Sequence, residues 1–407
     1  MTAPRRMSER RTSVLGALLA TIGPISMSIY TPAMPELVSA FSTTEAAIRT
    51  TLSLYFGGFS VAQLISGPMS DAFGRRRSAI GFVGIYLVGS LLAALAPSVD
   101  WLLAGRLIQG IGASVGITVA RAIVRDQFAG AEASRIMNLI GIMLAIGPAM
   151  APTVGGLALA AFGWRSVFFL LIGFGSLLGL MVIVFMRETA TPDPRRVLPG
   201  PLLAAYGELL RNPYFVFASV TLGGSIGALY AQATLLAFIL INVAGLSPTA
   251  FGMGMLLQSG SYFLGSIVLR LAAPLLGGDR CVRLGLGLVL SAGLMIAASV
   301  EFVTPSYLSI MVPVAFLAFG LAFLTPHLTT LALYPFPHIA GSASAMMGFI
   351  QMGGGFLGGM AAARFGKPLA AFGTVIPAMT IIAFAAYLGF VHFGRRLEDE
   401  TAPSARS

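Results

Sequence analysis

The stretch GPMSDAFGRRR, Gly67 to Arg77, decides the fold. Two glycines bracket an acid, three consecutive arginines close the stretch, and a long apolar run flanks it on each side. Gly67 and Gly74 permit a tight reversal at a helix end. Asp71 stands alone among bases, and Arg75, Arg76 and Arg77 hold the reversal on one side of an apolar barrier. The flanking runs are each roughly 20 residues, enough to cross a ~30 Å hydrocarbon core as helix.

Composition points the same way. Of 407 residues 57% are hydrophobic and 10% charged, and the mean hydropathy is +0.88. Charged residues normally supply about a quarter of a globular chain, so a soluble domain is excluded. Apolar runs recur at 12–35, 47–70, 78–97, 100–124, 135–161 and 165–186, then at 213–243, 249–272, 282–303, 306–334, 340–363 and 370–394. The Pro- and Arg-rich stretch Arg187 to Asn212 separates six from six. The pattern predicts an all-α membrane protein of twelve spans in two pseudo-symmetric six-helix bundles. The bundles are 1–186 and 213–407, joined by a central loop, 187–212.

The formal charge is +10, from 25 basic residues against 15 acidic, and Lys367 is the only lysine. The arginines gather in short stretches between spans: Arg5, Arg6, Arg10 and Arg11 before the first, then Arg125 and Arg135, then Arg187, Arg195, Arg196 and Arg211. Arg280, Arg283, Arg395 and Arg396 continue the series. With both termini in the cytoplasm all of these fall on the inner side, leaving Arg49, Arg165, Arg364 and Lys367 outside. This reads as topology signalling, with a lipid bilayer as the partner and no nucleic acid. The N-terminal MTAPRRMSERR runs directly into the first span, so that span is expected to be retained. A single cysteine, Cys281, leaves no disulfide framework or Cys-based metal site, and no metal or cofactor is expected. No nucleophile–base pair within the spans suggests an enzyme.

Two further stretches carry information. RLIQGIGAS, Arg106 to Ser114, puts an arginine inside span four, and GIMLAIGPAMAPTVGG, Gly141 to Gly156, interrupts span five with glycine and proline. An arginine at membrane depth costs about 2.5 kcal/mol or more, so it is normally tied to carbonyls, an acid or a wet cavity.

Together the three stretches resemble the major facilitator superfamily over essentially the full length. Gly67, Asp71, Gly74, Arg75 and Arg76 match its loop signature G-x-x-x-D-[RK]-x-G-[RK]-[RK], with Ala72 in place of the usual base. Arg106, Gln109, Gly110, Gly112 and Ala113 match the span-four signature R-x-x-Q-G-x-G-A. Gly147, Pro148, Pro152, Gly155 and Gly156 match the span-five antiporter signature G-P-x-x-x-P-x-x-G-G. With IYTPAMP and AGSASAMMGFIQ, the chain looks most like the Bcr/CflA drug-export branch. The resemblance implies two bundles rocking around a midplane cavity. It also implies a conformational switch in which Asp71 meets the N-terminal end of helix eleven and Arg75 pairs with an acid ending span four, here Asp126.

Candidate cavity residues are Ser28, Tyr30, Asn138, Tyr230, Gln232 and Gln258, each of which can instead satisfy a neighbouring helix. Arg106, Gln109, His327 and Glu36 are the candidate coupling or cavity charges. Relatives of this branch usually read D-M-Y-L-P-A-x-P in span one, with the aspartate as proton carrier. Here Ser28 holds that register, and no carboxylate falls mid-span. The expectation is a monomeric exporter in a bacterial inner membrane, moving drug-like or small amphiphilic compounds by alternating access. Coupling to an ion gradient is expected, with protons as one candidate ion. A dedicated exporter of one neutral or anionic metabolite is the alternative, and a non-transporting sensor or scaffold is the alternative of another class.

Overall fold

The computed structural model describes residues 7–401, without the side chains of 196 and 394–401. Arg5 and Arg6, and the side chains of Arg196, Arg395 and Arg396, lie outside what is described. Every regular element among the described residues is helical. The first half holds α1 (Glu9–Ser28), α2 (Met34–Ala40), α3 (Glu45–Phe73), α4 (Arg75–Ala94), α5 (Val99–Ala113), α6 (Val115–Arg125), α7 (Gly130–Phe162) and α8 (Arg165–Phe185). The central stretch holds α9 (Pro199–Arg211). The second half holds α10 (Pro213–Ala237), α11 (Pro248–Gly254), α12 (Leu256–Leu276), α13 (Gly278–Phe302), α14 (Tyr307–Leu333), α15 (Ala340–Ala363) and α16 (Pro368–Thr401).

Among the described residues ten segments are long and apolar enough to cross a membrane, counting α1–α2, α5–α6 and α11–α12 as single segments. α3 and α15 have the length, but Gly, Ser and Gln dilute their apolar runs. The reason is their placement: they pack on one another rather than on lipid, and small residues allow that approach. Ser53 lies against Gly359, Phe356 against Gly57 and Gln63 against Gly348.

Two buried cores form. One runs from Met7 to Met186, the other from Tyr206 to Phe390, and Phe238 of the second half packs into the first. The stretch 187–212 is more than a loop. Pro199 opens α9 at a position that needs no N–H, and Leu202, Tyr206 and Leu209 recur at helical spacing to meet the second core. Span five is also less broken than its sequence suggests: α7 runs without interruption through Pro148 and Pro152. Span four does break, at Ser114, between α5 and α6.

Candidate functional site

The site is assembled from two seams between the bundles. At the far end from the N-terminus, α7 meets α11 at backbone distance. A Cβ on Gly156 would stand 2.5 Å from the Pro248 carbonyl oxygen, and one on Gly252 would stand 2.5 Å from the Pro152 carbonyl oxygen. The same stripe of α7 continues through Ala145, Gly141, Asn138 and Ser134, at helical spacings of four, seven, four, three and four. There it is uncovered: Gly141, Asn138 and Ser134 are exposed, and a side chain at Gly141 would meet nothing within 4 Å. The bundles therefore part along α7 toward the end that carries Glu9, Asp126 and Glu188. Asn138 faces that opening.

The α3–α15 seam behaves differently. It stays packed from Arg49 to Gln63, about 21 Å of helix. Arg49, only 1% exposed, reaches across it and donates to the carbonyls of Ala362 (3.0 Å) and Phe365 (3.1 Å), where α15 ends. A cation there also answers the negative end of the α15 dipole. Glu45 accepts from Asn242 of the second bundle at 3.1 Å. The sequence reading counts Arg49 only as an exception to the arginine asymmetry. An arginine on the wrong side was the available signal.

Near the opposite end of this seam sits α9. Pro68 interrupts the bonding of α3 because it has no N–H to donate to the carbonyl of Leu64. The Tyr206 hydroxyl fills the gap, donating to that carbonyl at 2.5 Å. Burial pushes the Tyr206 phenol up to about 12, so it remains a donor at any physiological pH. Glu208, two residues on, meets His338 at 2.9 Å just before α15. α9 thus holds both bundles. Tyr206→Phe is expected to leave expression unchanged while weakening this attachment by about 1–3 kcal/mol, the cost of one unsatisfied buried acceptor. Faster protease cleavage within 187–199 is the measurable result, and an unchanged rate would count against the attachment.

The loop between α3 and α4 is a charged clasp. Gly74 turns with φ +98°, a conformation that L side chains rarely adopt. Any Cβ there would strike the Glu188 carboxylate, which accepts the backbone N–H groups of Arg75 (2.6 Å) and Arg76 (3.2 Å) and so caps α4. The Arg75 side chain, 5% exposed, donates to Asp126 at 2.9 Å, to Ser70 at 3.1 Å and to Asp71. Thr189 adds a bond to Asp126 at 3.0 Å, and Arg76 donates to the Ile183 carbonyl at 2.7 Å. Gly67 lies beside Thr118 of α6. Glu188 was not singled out in the sequence, where it is merely the first acid after span six.

Arg106 occupies the centre of the first bundle with no exposed surface. Its guanidinium stacks on the rings of Tyr30 (4.3 Å) and Tyr55 (4.4 Å), and one nitrogen donates to Gln109. Gln109 passes the chain to Ser90 at 2.7 Å, and Tyr86, beside it, bonds Ser26 at 2.7 Å. Arg106 Nε and Nη2 have no hydrogen-bond partner, and no carboxylate among the described residues pairs with it. The residues of α1 and its extension that meet this group are Ser26 and Tyr30, one turn apart. Ser28, between them, lies on another side of the helix.

Several candidates take other places. Tyr30 is fully buried, its hydroxyl on Thr51 at 2.6 Å. Glu36 is exposed and accepts the Trp164 N–H at 3.2 Å, at the start of α8. His327 meets Asp279 at 3.3 Å, with its ring against Gly278, on the rim of the second bundle. Gln232 donates to Gln258 at 3.1 Å, inside the second bundle. Tyr230 does reach across, its ring 5.2 Å from that of Phe56. In the span-five stretch, Gly147 and Gly155 face α1 and its extension, while Gly156 faces α11. Pro148 lies within α7, and the Pro152 carbonyl meets Gly252 of α11.

The sequence also passes over Arg121. On α6, Gly116 approaches the Leu19 backbone of α1, and Thr118 approaches Gly67 of α3. That leaves Ile117 and Arg121 on the side between α1 and α3, of which α3 packs on α15 of the second bundle. Arg121 is exposed, and no described carboxylate pairs with it.

Comparison with known proteins agrees with this architecture. Residues 16–359 match the family described as Major Facilitator Superfamily. Multidrug resistance protein D of Escherichia coli K12 is 26% identical over 95% of this chain and 96% of its own. The uncharacterized MFS-type transporter YdgK of Bacillus subtilis is 29% identical over 82% and 84%. A bacterial homolog of the human lysosomal transporter Spinster, solved inward-facing and unoccupied, superposes with TM-score 0.72 at 19% identity, over 97% of this chain and 99% of that one. The chain belongs to the Major Facilitator Superfamily, as a multi-pass membrane transporter of that fold.

Proposed function

We propose that this transporter exports small amphiphilic, drug-like compounds across a bacterial inner membrane by alternating access, as a monomer of the Bcr/CflA type. Multidrug resistance protein D and the multidrug resistance proteins MdtL of Salmonella, 29–30% identical, support that direction. One observation carries the alternating-access reading: a single stripe of α7 is packed against α11 at one end and uncovered at the other. With both termini cytoplasmic, the uncovered end faces the cytoplasm and the state is inward-open. The clasp of Gly67, Asp71, Gly74, Arg75, Arg76 and Asp126 then serves as the switch between states, and Arg106 with Gln109 as the central charge.

The test is a panel of unrelated toxic amphiphiles applied to cells expressing the protein, beside cells expressing an inserted but immobile variant. Reduced susceptibility to several compounds with the wild type alone is the expected outcome. A panel that does not distinguish the two would overturn export of drug-like compounds.

A further inference from the structure

Arg106 is a fully buried cation with no acid. Two of its nitrogens, Nε and Nη2, have no partner. Buried donors in a folded protein are nearly always satisfied, and an orphan of this kind calls for an explanation. Arg121 lies fifteen residues further along the same span. Fifteen residues of helix rise about 22 Å, and the break at Ser114 separates Arg106 on α5 from Arg121 on α6. Arg121 is exposed between α1 and α3, toward the parting of the bundles, and is also unpaired among the described residues. Between the two, α5 and α6 carry no acid: the sole carboxylate from Val99 to Arg125 is Asp100, at the far end. The face of α1 and its extension that meets this group carries Ser26 and Tyr30, and no acid.

We propose that Arg121 and Arg106 form two steps of an anion path, and that the transported compound is an amphiphile with one negative headgroup, an organic sulfonate or carboxylate. This rests on the exporter reading above and names its substrate class. Arg121 receives the headgroup at the open mouth. Arg106 takes it at depth once the rings of Tyr30 and Tyr55 part, with its two unused nitrogens as donors and Gln109 holding the third. A planar guanidinium suits such oxyanions because it offers parallel donors. The apolar body of the compound stays against the exposed stretch of α7.

The charge of the cargo also supplies a driving force. Moving an anion out of a cell that is negative inside is downhill, and each 100 mV supports a roughly fiftyfold outward ratio of a monovalent anion. Such an exporter works without a titrating acid in span one.

The experiment uses the full-length protein in lipid vesicles at equal pH on both sides, with a potential set by valinomycin and a potassium gradient. The probes are anilinonaphthalene sulfonate, its uncharged relative phenylnaphthylamine, and a quaternary ammonium derivative of the same ring system. Expected is saturable sulfonate uptake that rises about tenfold in final ratio for each ~60 mV of inside-positive potential. An imposed pH gradient should leave it unchanged, and so should replacing chloride by gluconate, because the bound anion is the cargo itself. Arg121→Gln, on an exposed face where folding is not at risk, is expected to raise the half-saturating sulfonate concentration about fivefold, the effect of one exposed charge contact. It should leave the uncharged probe alone.

Saturable flux of the uncharged or cationic probe with the sulfonate excluded would overturn the anion path while sparing the exporter reading. Equal effects of Arg121→Gln on all probes, or a requirement for chloride, would likewise overturn it. Absence of saturable flux for every probe would remove both.

Discussion

Gly156→Leu is expected to abolish transport while leaving both bundles folded. The position lies between bundles, where even a Cβ would come within 2.5 Å of the Pro248 carbonyl oxygen and 3.1 Å of the Thr249 Cα. Those are backbone atoms of α11, so no side-chain rotation relieves the clash. Overpacking of this kind costs about 1–3 kcal/mol or more, and 3 kcal/mol moves a balanced equilibrium about a hundredfold. The seam then stays open at that end. Maleimide labelling of Thr153→Cys in a Cys281→Ser background, measured with and without Gly156→Leu, reads the change directly. Strong labelling with lost flux is the expected pair of results. Wild-type flux from the Gly156→Leu protein would show that the α7–α11 seam need not close during the cycle.

Arg106→Ala carries the second large effect. It removes a guanidinium that two tyrosine rings sandwich and leaves Gln109 without its donor. Each cation–π contact contributes about 0.5–2 kcal/mol, so the first bundle loses some stability, and intact insertion must be verified by trypsin resistance. Flux is expected to fall at least about a hundredfold, which corresponds to about 2.7 kcal/mol of lost transition-state stabilisation. Arg106→Lys separates charge from shape. A compact ammonium on a flexible stem cannot cover both rings and present parallel donors, so it is expected to restore little. Full activity of Arg106→Lys would reduce the requirement to a bare positive charge, and full activity of a folded Arg106→Ala would remove it.

Much of this fold was legible in the sequence because it depends on composition and on short local patterns. Apolar length and arginine placement yield spans and their division, since each span must satisfy its own backbone in lipid. The Asp71–Arg75–Asp126 part of the clasp was legible because Asp71 lies four residues from Arg75 and Asp126 ends the one span that carries a matching acid. The groups that went unread act across large separations. Arg49 reaches Ala362, Tyr206 reaches Leu64, and Glu188 caps a helix that begins at Arg75. Nothing local marks such pairs, although the orphan carbonyl created by Pro68 was a usable hint. The polar residues at depth were the hardest to assign. Tyr30, Gln232 and Gln258 are as polar as Asn138, yet the first three turn inward to satisfy neighbours while Asn138 faces the opening.

The unequal seams have a mechanical consequence. A molecule that separates along only one of its two long contacts behaves like a book opening on its spine: α3 and α15 are the spine, and α7 and α12 are the free edges. Because the spine keeps its buried apolar contacts and the patch between α7 and α11 stays packed in this state, opening uncovers only the other end of α7. The free-energy gap between closed and open is then small enough for a few hydrogen bonds, or one bound cargo, to tip. A free edge also sets no upper limit on cargo length. A head can sit between the covers while a long apolar tail trails past the edge into the surrounding lipid, so size selection rests on the head and not on the tail.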